Sequence, residues 1–163
     1  LCGASRPGHF RGVTTVVSKL LGIVRPHVAA FGAKDLQQVL VIKKMVRDLS
    51  INTEIEVVPT VRESDGLAMS SRNGYLSHDE RALAPLFSRT LEETAKRVAD
   101  LGSDIKTVIA EGKAILTDAG FVVDYLEARH TYDLSEASSP NQETAIFGAA
   151  FLGKTRLIDN RIV

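Results

Sequence analysis

The stretch Gly66-Leu67-Ala68-Met69-Ser70-Ser71-Arg72-Asn73 sets two adjacent hydroxyls and a guanidinium in a glycine-led, turn-prone context. Hydroxyl donors and a planar guanidinium presented on one loop suit a row of phosphate oxygens. The same composition also makes an ordinary surface turn, because Gly, Ser and Asn favour turns for backbone reasons alone. A second cluster, Gly32-Ala33-Lys34-Asp35-Leu36-Gln37-Gln38, follows the apolar run Val28-Ala29-Ala30-Phe31. A strand, a Gly turn and a helix N-terminus bring free backbone N–H groups and the positive end of a helix dipole to one spot. Lys34 at that turn either reaches a phosphate as a mobile point charge or stays solvated. Asp35, with Gln38 three residues on, is predicted to form a capping box, which is compatible with ligand binding.

These residues need elements to position them. Residues 1–12 are rich in Gly, Arg and Pro and read as a loop, in which Arg6 and His9 either line a site or lie solvated. Val13, Val16, Val17, Leu20, Leu21 and Val24 recur at helical spacing, and Pro26 ends that helix. Val28 to Phe31 reads as a short strand of the buried type. A helix from about Leu36 to Leu49 follows, with Val39, Ile42, Val46 and Leu49 on one face and a solvated Lys43-Lys44-Arg47 cluster on the other. Thr53 to Val58 alternates as a strand. Helix–strand–helix–strand is the pattern of half a doubly wound parallel sheet. In such sheets ligands sit beyond the C-terminal strand ends, where both Gly32–Asp35 and Pro59-Thr60-Val61 fall.

Pro59 to about Asp65 is predicted to connect a domain over residues 1–62 to a small α+β domain over 63–163. There Ser77-His78-Asp79-Glu80 spells a capping box. A helix to about Asp100 follows, and Pro85 inside it implies a kink or a late start. Gly102-Ser103 breaks the chain. A second helix spans roughly Asp104 to Asp118, with Gly120 past its end. Phe121–Ala128, Thr144–Leu152 and Arg156–Asp159 read as strands, and Ser135 to Asn141 as a polar loop. His130 with Asp124 and Glu127 matches no familiar metal-ligand spacing and reads as a solvated strand end.

The 163 residues are 44% hydrophobic and 25% charged, and 20 basic residues balance 20 acidic ones. A net charge of zero argues against nonspecific binding to nucleic acid or a membrane surface, which needs a basic field. Cys2, the single cysteine, has no internal partner for a disulfide, which fits a reducing cytoplasm. No apolar run approaches the roughly 20 residues that span a bilayer.

Five ordered stretches carry a family likeness: Arg6-Pro7-Gly8-His9-Phe10, Phe31 to Gln38, Pro59-Thr60-Val61-Arg62-Glu63, Asp65 to Asn73, and Leu157-Ile158-Asp159-Asn160. In order and separation they resemble the pantothenate synthetase (pantoate–β-alanine ligase) family of the nucleotidyltransferase superfamily. Ala33 and Leu36 depart from the residues usual there. The family's first strand and His-x-Gly-His motif are absent, so the resemblance implies a C-terminal portion: the second half of a Rossmann-like nucleotide-binding domain, then a small α+β domain with an antiparallel sheet.

The resemblance implies ligation of pantoate to β-alanine with ATP and Mg²⁺, through a pantoyl adenylate, releasing AMP and pyrophosphate. No enzyme nucleophile is needed; positioning and positive charge are. It assigns the triphosphate to Lys34, Ser70, Ser71 and Arg72. It places Gly32 and Ala33 against the nucleotide, Asp35 on ribose, Val61 and Met69 beside adenine, and Gln38 on pantoate, with Arg6 and His9 lining the site. Ordinary core packing is the alternative for Val61 and Met69. Closure of the small domain over ATP, a homodimer, and no nucleic-acid or membrane partner complete the implication. Two other readings stand beside it: a nucleotide-binding fragment without turnover, and an adenylate-forming enzyme for a different acid. Gln38 in its Lys-Asp-x-Gln-Gln setting favours pantoate over the latter.

Overall fold

The helix expected from Val13 begins earlier, at His9. The computed structural model describes residues 1–100, 104–138 and 143–163; the expected break at Gly102-Ser103 and the Ser139-Pro140-Asn141 part of the polar loop lie outside them. Residues 1–12 are therefore not a loop throughout. A short helix α1 (Cys2–Ser5) precedes α2 (His9–Val24), with Gly8 as its N-cap. Pro7 and Gly8 interrupt the helix only briefly, after which the apolar spacing takes over. Arg25 closes α2 in the left-handed region and Pro26 follows.

Strand β1 (Val28–Gly32), helix α3 (Leu36–Asp48) and strand β2 (Glu54–Val58) form a parallel pair linked by a helix, with Val28 opposite Glu54 and Gly32 opposite Val58. The Thr53 hydroxyl donates to the Pro26 carbonyl at 2.8 Å and stitches the two strand starts together. Helix α3 ends with Ser50 in the left-handed region, while Ser50 N–H donates to Arg47 and Ile51 N–H to Val46. Those bonds satisfy carbonyls of the last turn and reverse the chain towards β2. Leu21, Ile42 and Met45 form a small core, packed by Val13, Val17, Ala29, Phe31 and Ile55. Strand β1 is not of the buried type: its residues alternate between exposed and half-buried, because only the Ala29/Phe31 face packs on the helices.

These residues make up one compact unit, Leu1–Thr60; the second runs from Val61 to Val163. In the second, α4 (His78–Leu83) opens with the Ser77/Glu80 capping box, and α5 (Pro85–Ala99) starts anew with Pro85 in its first turn. Pro85 thus begins a helix rather than kinking one, since a proline in the first turn forfeits no helical bond. Helix α6 (Ile105–Asp118) is capped by the Asp104 carboxylate, which accepts from Thr107 N–H at 3.1 Å. It ends in a reversal where Gly120 takes φ +94° and Phe121 N–H reaches Leu116.

Strands β3 (Val122–His130), β4 (Thr144–Leu152) and β5 (Thr155–Ile162) form an antiparallel sheet in that order. Strand β5 continues past Asp159 because its pairing with β4 runs on to Ile162. Helices α5 and α6 pack on the sheet around Phe87, Leu91, Leu116, Leu126 and Ile146. A Cβ at Gly148 would lie 2.9 Å from Leu91, so glycine there lets α5 approach β4 closely. Asp124 is paired with Arg156 at 2.6 Å and Glu127 with Arg129 at 2.8 Å. Among the described residues no group of three or more His, Cys, Asp or Glu side chains clusters as metal ligands, and no helix is long and apolar enough to cross a membrane.

Candidate active site

In the first unit the chain passes from Gly32 through a single 3₁₀ turn, Ala33–Asp35, into α3. Lys34 and Asp35 therefore sit where a parallel strand meets a helix N-terminus, the geometry that favours an anion. Asp35 occupies the N-cap position but makes no side-chain cap bond, so the predicted capping box with Gln38 does not form. The 3₁₀ turn gives Asp35 ψ 50°, outside the extended backbone a capping residue adopts. Its side chain is exposed. Gln37 is tied instead: its Oε1 accepts from Cys2 N–H at 3.1 Å. The half-buried Gln38 side chain makes no hydrogen bond among the described residues.

Arg6 Nη1 lies 3.3 Å from His9 Nε2. Burial pushes the His9 pKa down, the Arg6 charge adds to this, and Asp35 opposes it. An arginine can only donate, so the His9 Nε2 facing it is the acceptor in this contact. The first unit thus places Arg6 and Asp35 each within electrostatic reach of His9.

In the second unit Arg62 and Ala68 bridge across a tight turn that carries Gly66 at φ +87°. Met69 N–H donates to the Val61 carbonyl at 3.0 Å. Val61 and Met69 are 64% and 49% exposed, so neither is a core residue. Ser70 then caps a 3₁₀ helix over Ser71–Tyr75, its Oγ accepting from Arg72 N–H at 3.3 Å. The expected loop is thus a capped helical turn. Ser71 and Arg72 are exposed, and no hydrogen bond or ion pair among the described residues engages the Arg72 guanidinium. The turn presents one hydroxyl and one guanidinium outward from its backbone.

Motif reading missed what fixes that backbone. Asp159 on β5, with its side chain 1% exposed, accepts from Arg62 at 2.8 and 3.0 Å and from Arg161 at 3.1 Å. Arg62 Nη1 and the Ser88 hydroxyl both donate to the Gly66 carbonyl, at 3.1 and 2.8 Å. The stretches around Arg62 and Asp159 were visible as motifs, but their separation of 97 positions hides the pairing.

A parallel β–α–β unit with a Lys-Asp turn at its strand end, followed by a small α+β unit with an exposed Ser-Arg turn, defines an α/β protein of the nucleotidyltransferase type. The family model for pantoate-beta-alanine ligase matches residues 1–162, and the chain belongs to that family. Pantothenate synthetase from Shewanella sediminis is 56% identical over 160 residues, covering 98% of this chain and 57% of that protein. The Pseudomonas putida protein of that name is 52% identical over 160 residues, 98% of this chain and 56% of that one. The crystal structure of pantothenate synthetase from Thermus thermophilus superposes with a TM-score of 0.92 at 43% identity, covering 99% of this chain and 59% of that one. Pantoate-beta-alanine ligase from Francisella tularensis, complexed with beta-gamma ATP and beta-alanine, gives 0.72 at 36% identity over 99% of this chain and 53% of that one. The chain spans little more than half the length of the curated relatives it matches.

Proposed function

We propose that this chain handles ATP and pantoate in the ATP-dependent condensation of pantoate with β-alanine. The observation that carries the reading is the family match along residues 1–162, which takes in both Lys34–Gln38 and Ser70–Arg72. In the proposed reaction the pantoate carboxylate attacks the α-phosphorus of ATP. Pyrophosphate leaves and pantoyl adenylate forms. The β-alanine amine then attacks the activated carbonyl and AMP leaves.

No step calls for a nucleophile from the protein. Lys34 neutralises phosphate charge beside the α3 N-terminus, and Gly32 and Ala33 let the backbone approach the nucleotide. Ser70, Ser71 and Arg72 hold the phosphates and stabilise the charge that develops on leaving pyrophosphate. Asp35 accepts from the ribose hydroxyls, Val61 and Met69 flank adenine, and Gln38 donates to pantoate. Arg6, beside His9, lines the anion-binding end of the first unit. Mg²⁺ is assigned to the triphosphate and water, since this ion favours phosphate oxygens over all-protein cages. The domain division remains our reading: a nucleotide-binding part up to Arg62 and a small domain from Glu63. We assign the whole ligase to the cytoplasm and to a homodimer.

Two measurements test this. Calorimetry with Mg·ATP should show binding that weakens at least tenfold in Lys34→Ala, as expected for a charge-assisted contact to phosphate. Mixing the chain with ATP, pantoate and β-alanine, and following AMP and pantothenate by mass spectrometry, tests ligation itself. Binding without AMP makes the chain a nucleotide-holding part of a ligase. Failure to bind ATP overturns both readings.

A further inference from the structure

The second unit contains a polar cluster that binds nothing in the proposed reaction yet converges on one carbonyl. Ser88 Oγ, on α5, donates to the Gly66 carbonyl at 2.8 Å. It accepts from Arg161 Nη2 at 2.8 Å and from Arg62 Nη1 at 3.2 Å. Arg62 and Arg161 both pair with the buried Asp159, whose Oδ1 also accepts from Asn160 N–H at 2.8 Å. Segments 22 to 97 positions apart thus meet around the Gly66 turn.

Two cations face one buried carboxylate at this point. Glu92 on α5 lies within their field: Lys96 chiefly holds its carboxyl below the ordinary range, with smaller contributions from Arg161 and Arg62. A buried pair of this kind contributes little net stability against an apolar replacement, because desolvation offsets the attraction. What it does supply is direction, since the fork of Arg62 fits Asp159 in one orientation only. From Gly66 the restraint passes outward along the chain. Arg62 bridges to Ala68, Met69 N–H binds Val61, and Asn73 Nδ2 donates to the Ala68 carbonyl at 3.2 Å. Asn73 N–H returns to the Ser70 carbonyl at 3.0 Å. The 3₁₀ helix that carries Ser71 and Arg72 also packs against β5, the strand that bears Asp159 and Arg161.

We propose that Ser88, Arg62, Asp159 and Arg161 are positioning residues that hold the Gly66 turn and thereby aim Ser71 and Arg72 at a triphosphate. They touch no substrate. Their effect on phosphates rests on the nucleotide reading above; their effect on the turn does not. An anchored turn presents Arg72 with its ordering entropy already spent, which raises affinity without a new contact.

Ser88→Ala removes the hydroxyl and leaves the charges in place. Affinity for Mg·ATP should fall about tenfold, the size of one hydrogen bond to a charged or strongly polar partner, while affinity for adenosine is unchanged. In an Arg72→Ala background, Ser88→Ala should cost nothing further. Amide hydrogen exchange over residues 68–75 should quicken in Ser88→Ala, with β4 still protected. Arg62→Lys keeps the charge, loses the fork and should show the same exchange, which guards against misfolding of the first variant. Equal losses for ATP and adenosine, or a full additional loss in the Arg72→Ala background, overturn the proposal. Unchanged exchange over 68–75 in both variants overturns it as well. If the parent chain does not bind ATP, the nucleotide reading falls, and the exchange data still decide whether this cluster holds the turn.

Discussion

The two segments we assign to phosphate are built on opposite plans. In the first unit, Gly32 to Gln38 is shaped by its neighbours in sequence: a strand ends, one 3₁₀ turn follows and a helix begins. Its core is small, with Leu21, Ile42 and Met45 at the centre. In the second unit, the turn carrying Ser71 and Arg72 is held by a buried charge cluster drawn from β5, α5 and the Gly66 turn, above an extensive core. A helix N-terminus offers its N–H groups wherever it forms. An exposed turn has no such intrinsic geometry and needs anchors from elsewhere in the fold. The contrast teaches that the same ligand chemistry can rest on local or on long-range order.

Core truncation should separate the units most strongly. Leu91→Ala leaves a cavity in fully buried surroundings and should lower stability of the second unit by about 3–5 kcal/mol in urea denaturation, whereas Leu21→Ala should cost the first unit about 2–3 kcal/mol. Equal costs would erase the distinction between a large and a small core. In a full-length ligase carrying this chain, Arg72→Ala should slow pantoate-dependent ATP–pyrophosphate exchange by on the order of 10²-fold while leaving the denaturation midpoint in place, because the side chain is exposed and we assign it to the developing charge. A wild-type exchange rate would remove Arg72 from the reaction.

Smaller effects sharpen the picture. Ser77→Ala removes the N-cap of α4 and should cost the second unit about 1 kcal/mol by the same denaturation assay. Asp65 gives the mildest and most specific signal. The Arg81 hydrogen bond, at 2.6 Å, chiefly holds its carboxyl below the usual range, with Leu67 N–H assisting. A depressed folded pKa means that this stabilisation is complete above the unfolded value of about 3.9 and fades as pH falls through the lower folded one. Arg81→Ala should therefore destabilise slightly at pH 7 and progressively less as pH falls below about 3.9, read as the difference between two urea titrations.

Most of the elements were legible because each is written in a short repeat. The 3.6 period of Val13 to Val24, the alternation in Thr53 to Val58 and the Ser77–Glu80 box all depend on residues within one or two turns. The errors are local competitions that tertiary context settled. Gly8 and Pro7 suggested a loop, yet only a short break separates α1 from α2. The Asp35–Gln38 spacing suggested a capping box, yet the intervening 3₁₀ turn moves the Asp35 backbone out of range. Val28–Phe31 looked like a doubly covered strand, yet only alternate residues meet the helices.

The site residues divide in the same way. Lys34, Asp35, Ser70, Ser71 and Arg72 could be singled out because their chemistry and spacing lie within a few positions. The sequence by itself determined the order of helices and strands, the capping of α4 and the residue types available to phosphates, since periodicity and local hydrogen bonding act over short separations. Only the tertiary structure decided that Asp159 would lock Arg62 and Arg161, and that Ser88 would hold the Gly66 carbonyl. Those partners lie tens of residues apart, and a charged pair is specified by the folded backbone that removes both groups from water, not by the identity of either residue alone.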